Sequence, residues 1–177
     1  SVPTWLSQFM LLGASLSALL VAASRRAAKK KYYRHWFGIS VILLFMSIDD
    51  GARIHELVSD PITRFLGTGG SFMVHGWVFA GLAAVLLVGF IYFRFWLALP
   101  TRAKWQILLA GFIFLAGAVG VEMIGGYHSS QYGYDMTYRM LAMLEESLEM
   151  LGASYAIYAF LNYQLETSKK TFVSLVK

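Results

Sequence analysis

Two short stretches place carboxyl groups where the surrounding chain is almost wholly apolar. MSIDDGARIHE, residues 46–56, sets Asp49, Asp50, Arg53, His55 and Glu56 at the end of one apolar run. MLEESLEMLG, residues 143–152, sets Glu145, Glu146 and Glu149 inside another, and His75 and Glu122 stand in two more. Carboxylates and imidazoles contributed by several helices form the ligand set for iron, manganese, zinc or copper, with harder ions favoured where oxygen dominates. The candidate metal ligands are therefore Asp49, Asp50, His55, His75, Glu122, Glu145, Glu146 and Glu149. The sequence contains no Glu-x-x-His pair of the di-iron bundles and no His-Glu-x-x-His zinc motif. Haem is not expected, because paired histidines at one depth are needed and only His55 and His75 come near that.

The same residues support two other readings. Carboxyls sharing protons near His55, His75 and His128 would form a proton or cation pathway, with coupled protonation among Glu145, Glu146 and Glu149. No inverted repeat or broken-helix Gly/Pro pair marks a transporter core. Alternatively the acids are structural: Asp49 and Arg53 lie four apart and can pair within a helix, Arg139 can reach an acid of a neighbour, and protonated carboxyls can bond helices together. Among isolated residues, His35 is expected at an interface beside basic residues, His128 in a loop, and Arg94 as a snorkelling anchor. No nucleophile elbow or phosphate-binding motif is present.

The architecture that holds these groups is set by composition. Of 177 residues 58% are hydrophobic and 14% charged, with a mean hydropathy of +0.58, which is outside the balance of a soluble globular domain. Cysteine is absent, excluding disulfides, zinc–thiolate sites, iron–sulfur clusters and thiol nucleophiles, and leaving the redox compartment unreadable. Five apolar runs, approximately 5–24, 36–58, 71–99, 105–125 and 138–164, each approach the roughly 20 residues a bilayer-spanning helix needs. The expected fold is a single all-α domain, a polytopic transmembrane helical bundle. RRAAKKKYYRH, residues 25–35, is the strongest positive-inside signal, so the N-terminus is expected outside and the C-terminus in the cytoplasm. The net charge of +5 is written in such blocks between apolar runs and reads as topology, not nucleic-acid binding. Positive charge comes after the first apolar run and does not precede it, which reads as an anchor and not a cleavable signal.

Depth then brings the acids together. At about 1.5 Å per residue, Asp49 and Asp50 lie roughly 20 Å along a helix entering near Trp36, and Glu145 to Glu149 lie roughly 10–17 Å below the outer end of the last one. Glu122 and His75 fall at similar levels. Asp49, Asp50, Glu56, Asp60, Glu122, Asp135, Glu145, Glu146 and Glu149 all lie in the outer half or outside, leaving Glu166 alone at the cytoplasmic end. A carboxylate at the bilayer centre costs about 2.5–3.5 kcal/mol, so these groups must face one another, water or a cation. Helical spacing agrees: Ala142, Glu145, Glu149, Gly152 and Ala156 form one stripe, and Leu115, Ala118, Glu122 and Gly125 another.

SIDDGARIHE and EESLEMLG resemble the Ser-x-Asp-Glu…His-Glu and Glu-Glu-x-Leu-Glu-Met-x-Gly segments of a group of uncharacterised bacterial multipass membrane proteins. Asp50 stands where that pattern has glutamate. The resemblance implies a bacterial inner-membrane setting and a pairing of the two segments, and it implies no activity. The expected function is cation binding, by a metal or by protons, in redox or transport chemistry. The other expectation is an accessory subunit of a larger membrane complex. Expected partners are the lipid bilayer and other membrane subunits or further copies of the chain.

Overall fold

A computed structural model of the chain describes residues 2–52, 54 and 77–176, with side chains described over 5–52, 54 and 80–168. Arg53, His55, Glu56, Asp60, Arg64 and His75 lie outside the described residues. Within them the protein is all-helical, without strands. Helices α1 (Val2–Ala27), α2 (Tyr33–Ala52), α3 (Trp77–Leu97), α4 (Thr101–Tyr132) and α5 (Met136–Val176) come in that order. Long apolar runs become helices because this closes every mid-segment backbone hydrogen bond within the segment itself. Two prolines respect this: Pro3 sits in the first turn of α1 and Pro100 immediately before α4, where a missing N–H is harmless.

Two helices run further than the apolar pattern predicts. The fourth was expected to end near residue 125, yet α4 continues to Tyr132. The last was expected over 138–164, yet α5 continues to Val176. The stretch read as an outer loop from Gly126 onward is thus mostly helix, and the link between α4 and α5 is only residues 133–135. Polar side chains end an apolar signal without ending a helix. Here the helix ends at Gly133, whose φ of 78° only glycine adopts readily. Asp135 then caps α5, its Oδ1 accepting the Tyr138 backbone N–H at 2.9 Å.

The α1–α2 link is built differently. Lys29 N–H donates to Arg26 O at 3.0 Å and Lys30 N–H to Arg25 O at 2.9 Å, the hydrogen-bond pair of a Schellman ending. Its left-handed position is held by Lys29 at φ 49°, where glycine is usual. The Arg25 side chain braces the turn, donating to Lys31 O from Nε at 3.0 Å and from Nη2 at 2.8 Å.

Cross-helix bonds fix the register. In the antiparallel α1–α2 pair, Ser15 Oγ donates to Ser40 O at 2.8 Å and Ser47 Oγ to Gln8 O at 2.9 Å. In the antiparallel α4–α5 pair, Arg102 Nη1 meets Glu166 Oε1 at 3.0 Å and Asn162 Nδ2 meets Gln106 Oε1 at 3.3 Å. Helices α1 and α5 run parallel, since Ser154 reaches Met10 and Gln164 reaches Ser24. Small side chains let these axes approach: Ala14, Ala18 and Ala22 on α1, Ala103 and Ala110 on α4, and Ala156 on α5 are buried in one cluster.

That cluster is closed by aromatic rings at the basic end of the molecule. Trp36 is fully buried, stacked on Tyr163 at 5.0 Å and edge-on to Phe95 and Phe160. His35 stacks on Phe95 at 5.3 Å, with Tyr32 and Tyr92 edge-on to it. The expectation for His35 is therefore refined: aromatic faces surround it, where basic neighbours were anticipated. Tyr92 and Phe95 are also how α3 joins the bundle. Outward, α3 exposes Leu86, Leu87, Phe90 and Ile91. By length and apolarity α1, α3 and α4 can each cross a membrane. Over their described residues α2 and α5 fall outside that group.

Candidate carboxyl site

The site is assembled from residues on four helices. Helix α2 contributes Asp49 and Asp50, both half-buried. Helix α4 passes through a π-helical segment, Ala116–Val121, and Glu122 is the first residue beyond it. A π segment inserts extra backbone into a turn and rotates the side chains beyond it to a new direction. Glu145, Glu146 and Glu149 lie within about one turn on α5, all half-buried. Ser7, almost fully buried, comes from α1.

These groups meet. The Glu145 carboxyl lies beside that of Glu122, with Glu149 and Glu146 also near it. The Glu149 carboxyl lies beside Ser7 and faces Asp50, Glu122 and Glu146. The structure thus brings together Asp50, Glu122, Glu145, Glu146 and Glu149. Asp49 sits beside Asp50 on α2, and His55 and His75 lie outside the described residues. Among the described residues no group of three or more His, Asp or Glu side chains is arranged to hold a metal ion.

Close backbone approach makes the meeting possible. A Cβ on Gly117, inside the π segment, would stand 2.9 Å from Glu145 O and 3.3 Å from Glu149 Cγ. A Cβ on Gly152, one turn below Glu149, would stand 2.6 Å from Phe114 N. Both glycines hold α4 against α5 beside the carboxyls. Two ionised carboxylates only accept hydrogen bonds, so two carboxyls set this close bond to each other only when a proton is shared between them.

Two contributors escaped sequence reasoning. The signal for Ser7 was available, since Ser7, Leu11, Ala14 and Ala18 obey helical spacing and form one buried stripe. The π segment left only a faint trace in the glycines of AGAVGV. Nearer the link, His128 belongs to the last turns of α4 and not to a loop, and its Nε2 lies 2.9 Å from Asp135 Oδ1. Arg139 is exposed, as is Arg94.

Fold and site together define a class: an all-helical protein with apolar helices of membrane-crossing length around a carboxyl cluster. The chain belongs to the family described as Domain of unknown function (DUF8692), which matches residues 1–164. No curated protein and no solved structure matches it.

Proposed function

We propose that the chain is a five-span protein of a bacterial inner membrane, N-terminus outside and C-terminus cytoplasmic, whose carboxyl cluster binds a cation in transport or redox chemistry. The proton is the first such cation. The observation that carries this reading is the meeting of the Glu122 and Glu145 carboxyls from facing helices, a pair that can bond only by sharing a proton. Glu149 and Asp50 extend the cluster toward α2, so a proton leaving the pair has neighbouring carboxyls to receive it. The five-span reading is supported by antiparallel α1–α2 and α4–α5 pairs, parallel α1 and α5, and basic residues gathered at the Arg25, Arg102 and Lys104 end.

Infrared spectra of the purified protein at neutral pH test the proton. A protonated-carboxyl band that Glu122→Gln or Glu145→Gln removes is the expected result, and spectra unchanged by both substitutions overturn it. Elemental analysis separates the metallic version: stoichiometric iron, manganese, zinc or copper lost in a Glu145→Ala/Glu149→Ala variant would make a metal the resident cation, with Asp49, His55 and His75 as further ligand candidates. The second reading, an accessory subunit, is favoured by α3, which exposes Leu86, Phe90 and Ile91 along its length. A stoichiometric membrane partner that co-purifies with wild type and is lost on Phe90→Ser substitution would support it.

A further inference from the structure

A cavity of about 270 Å³ opens at the basic end of the molecule, well away from the carboxyl cluster, lined by Arg25, Ala98, Pro100, Tyr163, Glu166 and Thr167. Three elements form it: the end of α1, the α3–α4 link, and α5. Its walls carry opposite charges. On one side the Arg25 guanidinium is held in place by Lys31 O through Nε and Nη2 and by the Tyr163 hydroxyl through Nη1. Those bonds occupy three of its N–H groups and leave others for an anion. On the other side Glu166 uses Oε1 for Arg102 and Asn162, and a carboxylate has a second oxygen to offer a cation. The floor is rigid, because Tyr163 is stacked on the fully buried Trp36.

A fixed cation, a fixed anion and a rigid aromatic floor within one cavity match a ligand that carries both signs. We infer that this cavity binds a phosphate–ammonium zwitterion, the phosphate on Arg25 and the ammonium on Glu166, presented as the headgroup of a phosphatidylethanolamine-type lipid. The lipid source is argued from placement and rests on the proposed five-span membrane reading: the cavity lies among the basic residues and rings that mark the cytoplasmic interface. Ala98 and Pro100 give it an apolar edge where acyl chains would leave.

Delipidated protein in detergent is titrated with phosphatidylethanolamine, phosphatidylglycerol and soluble phosphoethanolamine, monitoring thermal unfolding and, by native mass spectrometry, retained lipid. Phosphatidylethanolamine is expected to raise the unfolding temperature and be retained over phosphatidylglycerol. Glu166→Gln is expected to lower that preference by about two- to fivefold, the range an exposed charge pair supplies. Because Arg25 also braces a turn, Arg25→Gln is paired with Thr167→Val, which alters the wall and leaves the turn intact. Equal retention of the two lipids in wild type, or a preference untouched by Glu166→Gln, overturns the inference. Stabilisation by soluble phosphoethanolamine alone overturns the lipid source. Alkaline extraction of membranes reads the supporting assumption separately: a chain that remains in the membrane yet shows no lipid preference defeats this inference without touching the span assignment.

Discussion

Asp135 shows how one side chain can hold a link together. Its carboxylate accepts the Tyr138 N–H and meets His128, and these bonds, the Tyr138 one foremost, hold its pKa below the ordinary aspartate value. A group with a depressed folded-state pKa contributes stability above its unfolded pKa, and that contribution is lost as pH falls through the folded value. The α4–α5 link is therefore expected to loosen below about pH 4, read as faster hydrogen exchange at the Tyr138 amide. Asp135→Asn is expected to flatten that acid response, and an identical pH profile in the variant would refute the assignment. At the other link, Lys29 occupies a left-handed position at φ 49°. Lys29→Gly is expected to raise stability by about 1 kcal/mol in a denaturation series. A loss of stability would show that the Lys29 side chain contributes more than its backbone costs.

Among the elements, Gly152 of α5 and Gly89 of α3 are not equivalent. A Cβ at Gly152 would stand 2.6–2.8 Å from Phe114 backbone atoms, whereas one at Gly89 meets nothing within 4 Å. Gly152→Ala is expected to cost about 1–3 kcal/mol, as overpacking does. Gly89→Ala is expected to be neutral or to stabilise by up to about 1 kcal/mol through helix propensity. Thermal unfolding of the two variants side by side checks the contrast, and equal effects would place the α4–α5 contact elsewhere. The stripes of small and acidic residues on these helices were legible in the sequence, because the interface keeps a helical period. Glu145, Glu149, Gly152 and Glu122 do meet across it. Where α4 and α5 end was not legible, since HSSQ and ETSKK are polar yet compatible with helix, and hydropathy reports burial in oil, not backbone geometry. The π segment was hidden for a related reason: it depends on how many residues fit between two packed helices, a tertiary fact.

For the molecule as a whole, direction of insertion is the property that ties the parts together. The chain has no cysteine, so single cysteines report topology without background. Lys30→Cys is expected to react with a membrane-impermeant maleimide only from the cytoplasmic side of inverted vesicles, and Ser130→Cys only from the outer side of intact cells. Labelling of both from one side would reverse or break the five-span reading. The expected orientation rests on the basic block at 25–35, because charge placement acts during insertion, through the chain and not through the fold. The aromatic enclosure of Trp36 and His35 was unreadable, since it needs rings from α2, α3 and α5 to arrive at one level.

Helix α5 spans 41 residues without a break, about 60 Å at the usual rise, twice the roughly 30 Å hydrocarbon thickness. Glu149 and Glu166 are both carried on it, some 25 Å apart by the same rise, so roughly 25 Å of continuous helix joins the two. An unbroken helix of this length behaves as a lever: a small change of angle where the acids sit becomes a larger sideways excursion at the far tip.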